Sequence, residues 1–403
     1  MIASLLIAAQ PFELAAGRYD EAQPRTAEAL EGWVKAGLGF ESSSKGNRLF
    51  DPVEVFNHMK WTGVSGRDGF WSDHFVRTGR AFTRELVGSD GTGAMPKNLE
   101  PARFCLTLRR RFDLSRLESR TRARLRLPLP LESCAYNIEV TPMLLEPHAG
   151  RISQSDGRLE FQIDATADPF VEVAVETSFT TTGRSNDLNK DRLDPAELEL
   201  YLRPSEGLIR VTPRIDALSH SFGGKDGSWE VVLKCWNYLI DELSCGMARY
   251  DQVDNAAPGD WVLDTGWYDC QLGSSLFVSL CRARGIPARL MSGHMLYKLA
   301  PGFHYWAEVW KEDSGWLPFD FLSWDLSEAG RDEVWRDRFA GNIDYRMVTQ
   351  CLPLAFTGPM SVRFPPAWHL VNAPAARGMT IRFSDLTDGL IYSDQVTVEQ
   401  VTT

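Results

Sequence analysis

The chain has 403 residues, of which 43% are hydrophobic and 24% are charged, and its formal net charge at pH 7 is −11. The length predicts two or three structural units, and the composition excludes both an intrinsically disordered chain and an integral membrane protein. The negative charge argues against general nucleic-acid binding, which requires clustered cationic side chains to displace counterions from phosphates. Because no run of about 18 apolar residues occurs, we expect no membrane partner.

Seven cysteines are an odd number, and their spacing forms neither a disulfide framework nor paired zinc-ligand motifs. The histidines show no His-x-x-x-His spacing either, so we expect no metal and no other cofactor. A reducing, cytoplasmic location fits this cysteine pattern best. The apolar run at residues 4–9 is preceded by no Lys or Arg, and we interpret it as buried structure and not as a secretory signal.

Residues 1–100 predict a mixed and irregular N-terminal region. A helical start is followed by an aromatic, glycine-rich stretch that extends from Trp61 to Trp71. Two interpretations of this stretch remain: a loop that covers an active site, or an irregular segment anchored by its tryptophans, which is the favoured one.

Residues 101–215 show the two-residue period of half-buried β-strands. Apolar residues alternate with more polar ones in two clear runs, formed by Phe104, Leu106 and Leu108 and by Val171, Val173 and Val175. Glycine and proline turns separate such runs, which predicts an antiparallel β-sandwich domain. The early strands also carry a basic face, which we interpret as solvated and not as a docking surface for an acidic protein such as an acyl carrier; its members are Arg109, Arg110, Arg111, Arg122, Arg124 and Arg126.

A catalytic domain is predicted over residues 216–370, followed by a C-terminal β tail over residues 371–403. The domain begins with an amphipathic helix whose apolar stripe indicates packing against a sheet. The stripe consists of Trp229, Val232, Leu233, Trp236, Leu239, Ile240 and Leu243.

A second helix is predicted to open directly at Cys270. Apolar residues recur at helical spacing from Leu272 onward, and Gly285 with Pro287 supplies the signals that end a helix. At a helix N-terminus, unpaired N–H groups and the positive end of the helix dipole favour a thiolate, which is the nucleophilic form of cysteine. We therefore expect a depressed pKa for the Cys270 thiol.

Downstream of Cys270 the sequence predicts a β-hairpin. His304 opens a strand rich in aromatic residues, residues 311–315 supply turn chemistry, and the return strand ends at Asp320. A loop of three or five residues places His304 and Asp320 on one face of the hairpin, whereas a loop of four residues places them on opposite faces. On one face beside Cys270, the imidazole can take the thiol proton while Asp320 fixes its tautomer, which is the logic of a Cys-His-Asp triad.

These motifs in combination resemble the core of the transglutaminase-like superfamily over about residues 225–360. The segments that carry the resemblance are Asp269-Cys270, residues 281–289, Ser292-Gly293-His294, residues 304–308, residues 315–320 and the segment 341–346, which is similar to the segment after the core in bacterial members. The resemblance implies a papain-like α+β core and acyl transfer through a thioester. By position it implies that Cys270 is the nucleophile, His304 the general base and acid, and Asp320 the third member of the triad. The expected fold class is thus α+β, with a papain-like transglutaminase core preceded by an antiparallel β-sandwich.

Two features depart from the family pattern. His294 stands where the family often has tyrosine, and it is either an active-site wall or substrate contact, or a structural residue; His304 is favoured as the base. The backbone N–H of Cys270 is one natural oxyanion donor, but the tryptophan that contributes a donor in eukaryotic transglutaminases has no counterpart, since Trp236 is interpreted as core. Candidate substrate contacts are Trp267, Tyr268, His294 and Trp306.

The leading expectation is a thiol enzyme that attacks an amide, ester or thioester carbonyl. Its acyl-thioester would pass to water, as in a cysteine protease or amidase, or to an amine, as in a transglutaminase or amide synthase, and the sequence does not choose between them. The expected partner is a peptide, a protein or a carrier-bound acyl group, and the oligomeric state is open. The alternative, from another class, is a non-catalytic papain-like scaffold that acts in protein–protein binding.

Overall fold

A computed structural model describes two units of the chain, and all structural statements refer to its described residues. These are residues 31–37, 40–41, 48–49, 58, 99–113, 122–144, 150–155, 157–164, 170–182, 192–246, 248, 253–254, 256–297, 301–321, 338–351, 367–371, 379–384 and 391–401. Most of the predicted N-terminal region, including the stretch from Trp61 to Trp71, lies outside the described residues.

The strands of the described residues are numbered in chain order. They are β1 (Phe40–Glu41), β2 (Arg48–Leu49), β3 (Ala102–Asp113), β4 (Arg122–Pro128), β5 (Tyr136–Leu144), β6 (Gly150–Ser155), β7 (Arg158–Asp164), β8 (Phe170–Thr181), β9 (Ser205–Glu206), β10 (Ile209–Arg210), β11 (Ser244–Cys245), β12 (Trp267–Tyr268), β13 (Ala288–Met295), β14 (Phe303–Lys311), β15 (Gly315–Phe319), β16 (Arg346–Cys351), β17 (Ala367–Val371), β18 (Met379–Ser384) and β19 (Ile391–Val401).

The helices are numbered in the same way, as α1 (Pro195–Leu202), α2 (Pro213–Ser221), α3 (Trp229–Glu242), α4 (Pro258–Thr265) and α5 (Cys270–Ala283). Short polar side chains fix several of their starts. The Thr212 hydroxyl accepts a hydrogen bond from the Ile215 N–H at 3.2 Å, and Pro213 occupies the first turn of α2, where its missing N–H costs nothing.

Two antiparallel sheets pack face to face in the predicted β-sandwich region. One has the order β17-β18-β19-β3-β8-β5 and the other the order β4-β7-β6. The alternating residues of β3 and β8 point into a shared core with residues of the second sheet such as Leu127 and Phe161, which are fully buried. The predicted alternation at Phe104, Leu106 and Leu108 is thereby confirmed, and so is the α+β fold class with its sandwich. The predicted domain boundaries stay a prediction.

The last described strand, β19, belongs to the sandwich. It pairs antiparallel with β3 over its whole length, from Ile391 opposite Asp113 to Val401 opposite Arg103. Val396 and Val398 are buried in the sandwich core. The segment predicted as a C-terminal β tail therefore contributes a strand next to the centre of this sheet.

The second unit packs helices on an antiparallel sheet of order β15-β14-β13-β16. Helix α5 is its centre, since every residue from Gln271 to Arg282 is buried. Its apolar side chains meet those of α3 and of the sheet in one core, which includes Trp236, as the sequence predicted. The predicted stripe of α3 is wrong at Leu233, which is 36% exposed, because the buried face is shifted toward Val231 and Cys235.

The hairpin of β14 and β15 has a three-residue connection over residues 312–314, with Lys311 opposite Gly315 and Ala307 opposite Phe319. Continuing this register by one residue sets Asp320 opposite Trp306, two residues from His304. His304 and Asp320 are thus diagonal neighbours on one face, because side chains two residues apart on a strand point the same way. The four-residue loop that would place them on opposite faces of the hairpin does not occur.

The two units meet along β16. Met347 of this strand and Leu296, which directly follows β13, are buried in the core of the sandwich. The Tyr345 ring lies 5.2 Å from that of Phe104, and the Tyr345 hydroxyl donates to the Glu100 carbonyl at 2.7 Å. One face of β16, an edge strand of the sheet in the helical unit, therefore packs against the sandwich.

No helix among the described residues has both the length and the apolar character needed to cross a membrane. The cytoplasmic location expected from the cysteines stays a prediction.

We expect Gly293→Ala to destabilise the fold by about 1–3 kcal/mol, the usual cost of overpacking a tightly packed site. A Cβ atom at this position would lie 2.0 Å from the Met347 carbonyl oxygen on β16, and backbone cannot move aside as a side chain can. Chemical denaturation measures the change in the free energy of unfolding. Gly32→Ala is the matched control, because nothing lies within 4 Å of its added Cβ. Equal stability of Gly293→Ala and the parent would contradict the close pairing of β13 with β16.

Candidate active site

Cys270 is the first residue of α5 and remains partly exposed. The preceding residue, Asp269, is the N-cap, and its carboxylate accepts hydrogen bonds from the N–H groups of Gln271 at 3.1 Å and Leu272 at 2.9 Å. The predicted position of the thiol at a helix N-terminus is confirmed.

The expected depression of the thiol pKa is wrong. Burial raises the pKa of Cys270 well above its ordinary value, the negative charge of Asp269 raises it further, and a backbone hydrogen bond from Tyr305 opposes them by lowering it. Burial is the main physical reason, because it disfavours the charged thiolate. The Asp269 cap adds to it, since its carboxylate occupies N–H groups at the positive end of the helix dipole that would otherwise stabilise a thiolate. The resting residue is therefore a neutral thiol that needs a base.

The Tyr305 hydrogen bond fixes where the thiol lies on the sheet. Strand β15 pairs with β14 only from Ala307 onward, so the edge of β14 before Ala307 is not covered by β15. The Tyr305 N–H donates to the Cys270 sulfur there. The sulfur consequently lies at the backbone of the residue after His304.

His304 and Asp320 form a buried pair. The imidazole Nε2 lies 3.0 Å from one Asp320 carboxylate oxygen and 2.9 Å from the other, and both side chains are at most 1% exposed. A carboxylate only accepts hydrogen bonds, so Nε2 carries the proton and Nδ1 is left as the basic nitrogen. Among the described residues, Nδ1 has no hydrogen-bond partner, Cys270 included.

Asp320 has a second charged partner that sequence reasoning missed. The Arg346 guanidinium donates to the same carboxylate at 2.7 Å, and neither side chain is exposed. Arg346 also pairs with Asp344, which in turn accepts a hydrogen bond from the Tyr297 hydroxyl. The signal available in the sequence was the segment 341–346, but its spacing from Asp320 gives no hint that the two meet.

The four predicted substrate contacts occupy different environments. Trp267 is half-buried, whereas Tyr268, His294 and Trp306 are at most 2% exposed. The Tyr268 ring packs against Gly273 in the helical core, and the Trp306 ring stacks on His304 with centroids 6.4 Å apart. The structure thus brings Trp306 to the His304 imidazole as a platform, while a role in substrate binding stays a prediction for all four.

His294 lies apart from the triad. Gly293 is directly opposite His304 on the paired strands, so His294 projects from the other face of the sheet. Burial, and then the positive charge of Arg110, lower the pKa of His294 to about 3. This imidazole therefore stays neutral at physiological pH.

No group of three or more His, Cys, Asp or Glu side chains among the described residues is arranged to hold a metal ion. The Cys270 N–H, at the start of α5, remains the candidate donor to an oxyanion.

Comparison with known proteins finds a family match over part of the chain. Residues 216–321 match the model of the transglutaminase-like superfamily, and this segment contains Cys270, His304 and Asp320. A protein-glutamine gamma-glutamyltransferase of Pseudomonas aeruginosa is 22% identical over 234 residues, which cover 49% of this chain. The match covers 34% of that relative, so the chain spans about a third of its length.

Two solved structures are similar at low identity. One is a candidate cysteine protease from Cytophaga hutchinsonii, with 15% identity, a TM-score of 0.46 and coverage of 76% of this chain and 93% of that one. The other is the periplasmic domain of TgpA from Pseudomonas aeruginosa, with 17% identity, a TM-score of 0.32 and coverage of 56% and 91%.

We expect Asp269→Asn to accelerate alkylation of Cys270 by a small neutral electrophile about 2- to 5-fold at neutral pH, since a charge at a helix end is worth about 0.3–1 kcal/mol. Asn caps helices as well as Asp does, so α5 keeps its start while the thiol loses a neighbouring negative charge and its pKa falls. Peptide mapping across a pH series gives the rate at Cys270. The parent should show its midpoint above that of a free cysteine.

Asp264→Asn, at an exposed carboxylate paired with Arg214, is the matched control and should leave the rate unchanged. An unchanged or slower rate in Asp269→Asn would contradict the role of the cap in raising the thiol pKa.

Proposed function

Residues 216–321 carry the core of the transglutaminase-like superfamily, and on that premise we propose that the chain is a cysteine-dependent acyl-transfer enzyme. The observation that carries the proposal is the buried His304–Asp320 pair. Nδ1 of the His304 imidazole has no hydrogen-bond partner among the described residues. The N–H of the next residue, Tyr305, binds the Cys270 sulfur. A structural histidine has no need to keep a basic nitrogen unoccupied in a buried site.

In the proposed reaction, Nδ1 of His304 accepts the Cys270 proton as the sulfur attacks the carbonyl carbon of an amide, ester or thioester. Asp320 accepts the Nε2–H hydrogen bond throughout and stabilises the imidazolium, but does not itself take the proton. The imidazolium then returns the proton to the leaving group, and the acyl group remains on Cys270 as a thioester. The Cys270 N–H is the proposed donor to the oxyanion.

The raised thiol pKa agrees with this sequence of events. A neutral thiol becomes a nucleophile only when its proton moves to a base, so deprotonation and attack are expected to occur together. The site would then be less prone to adventitious oxidation or alkylation in the absence of substrate than a preformed thiolate.

The acceptor decides between two outcomes of one thioester. Water gives hydrolysis, as in a protease or amidase, and an amine gives transfer, as in a transglutaminase or amide synthase. The relative from Pseudomonas aeruginosa is named a protein-glutamine gamma-glutamyltransferase, so a glutamine-bearing protein or peptide is the first acyl donor to test. A carrier-bound acyl group is the second, and neither nucleic acid nor a membrane is proposed as a partner.

We expect Cys270→Ala to lower acyl-donor turnover about 10⁴-fold or more, because removal of a nucleophile abolishes the covalent route. Intact-mass spectrometry after incubation with glutamine peptides, esters and thioesters should detect an acyl adduct on Cys270 in the parent and none in the variant. Cys105→Ser, on β3 of the sandwich, is the matched control and should keep full activity. If no donor acylates Cys270 while Cys270→Ala keeps its binding partners, the scaffold function replaces the enzyme.

We expect hydroxylamine to release the acyl group from Cys270 as a hydroxamate, because it attacks thioesters faster than water does. A second reaction replaces hydroxylamine with a lysine-like amine. The ratio of amide product to free acid in that reaction reports whether the thioester prefers an amine or water as its acceptor. Transfer to the amine in excess of hydrolysis would identify a transglutaminase or amide synthase, and free acid alone would identify a hydrolase.

A further inference from the structure

Arg346 is the centre of a buried network of charges behind the proposed triad. Its guanidinium contacts the carboxylates of both Asp320 and Asp344, and its side chain is 0% exposed. Burial alone would lower the pKa of Arg346, but Asp344 and Asp320 outweigh it and raise the pKa above its ordinary value. Arg346 is thus a fixed positive charge.

The charges of this network balance in only one protonation state of His304. Two carboxylates and one guanidinium leave an excess negative charge when the imidazole is neutral. When His304 becomes an imidazolium, its positive charge cancels that excess. Because these side chains are buried and uncompensated charge is costly there, the network stabilises the imidazolium that proton transfer from Cys270 would form.

Geometry assigns a second task to the guanidinium. Asp320 comes directly after the last residue of β15, so strand pairing does not fix its carboxylate. Two donors fix it instead: His304 at 2.9 Å and Arg346 at 2.7 Å share one of its oxygens. Removal of Arg346 would leave the carboxylate less firmly held and easier to protonate.

We propose that Arg346 is a positioning residue of the active site, which keeps Asp320 ionised and aimed at His304, with Asp344 and Tyr297 supplying the balancing charge and its hydrogen bond. This inference rests on the proposed function for its kinetic consequence. It adds to the triad a residue from a strand that lies outside the segment matched to the family.

The β-sandwich holds Arg346 in place. The side chains on either side of it, Tyr345 and Met347, pack in the sandwich core, while its own side chain projects to the opposite face toward Asp320. The Thr181 hydroxyl, at the end of β8, donates to the Arg346 carbonyl at 3.3 Å. The sandwich is therefore part of the support of the active site.

The test compares Arg346→Lys with Arg289→Lys. Arg289 is a similarly buried arginine in the same sheet, and its ion pair is with Glu308, at 2.6 Å. A lysine keeps the charge in both variants but lacks the planar fork that can bridge two carboxylates. Arg346→Lys should lower kcat about 10²-fold with KM changed less than about 3-fold, as expected for misplacement of a catalytic group.

The acid limb of the pH–rate profile should also move to higher pH in Arg346→Lys, because a less firmly held Asp320 takes up a proton more readily. Arg289→Lys should retain both kcat and the profile, even where its melting temperature falls as much. Asp344→Asn is the second variant, in case Arg346→Lys does not fold. It keeps the guanidinium on Asp320, and it should lower kcat about 10-fold through loss of the balancing charge.

A readout independent of turnover separates this inference from the proposed function. In protein labelled with nitrogen-15 at its seven histidines, the His304 signal, identified by its loss in His304→Gln, should show the Nε2–H tautomer in the parent. Arg346→Lys should show exchange between the two tautomers, and Asp344→Asn should keep the parent tautomer.

Loss of the fixed tautomer in Arg346→Lys would support the positioning role even if no acyl donor were found, in which case only the proposed function would fail. An unchanged tautomer, or an unchanged acid limb in an active Arg346→Lys, would overturn the proposal, and so would an equal loss of kcat in Arg289→Lys.

Discussion

The carboxylate of Asp320 is completely buried, and a carboxylate in that position is tolerated only if every oxygen has a strong partner. Two of its partners come from different strands: His304 from β14 and Arg346 from β16. Both strands must therefore reach one point in register. Much of the surrounding packing can be understood as the means by which they do so.

Each means has its own physical basis. The length of the loop between β14 and β15 sets the register that puts His304 and Asp320 on the same face of the hairpin. The absence of a side chain at Gly293 lets β16 approach β13 closely. Trp306 supplies a flat apolar surface on which the His304 ring stacks, and the Arg346 guanidinium lies 5.4 Å from the centroid of the same indole. The electrostatic and the packing requirements of the site are met by the same few side chains.

Sequence reasoning succeeded where a single local pattern determines the structure. Alternation of Phe104, Leu106 and Leu108 was enough for the sandwich strand, and the start of α5 at Cys270 was evident from helical periodicity. It also placed His304 and Asp320 on one hairpin, although it could not choose between the registers that put them on the same face and the register that puts them on opposite faces. These properties depend on neighbours close in sequence.

The errors and omissions have a different origin. The pKa of the Cys270 thiol was assigned from the helix dipole alone, whereas burial raises it, and the adjacent Asp269 carboxylate, visible in the sequence, raises it further. Arg346 was missed because its partner is 26 residues away and on a different strand, and no short-range pattern reports such a meeting. The pairing of β19 with β3 was missed for the same reason, since residues 391 and 113 are opposite each other.

That last pairing makes the architecture nested. Between β3 and β19 the sequence contains the other sandwich strands and the helical unit, so two neighbouring strands in the middle of the sheet come from distant parts of the chain. Such long-range closure is slow compared with local helix formation. During synthesis, α5 and the hairpin that carries His304 can form while β3 still exposes the edge that β19 will cover. That unpaired edge, with its row of free backbone donors and acceptors, would be the surface most exposed to wrong pairing until β19 has been synthesised and pairs with it.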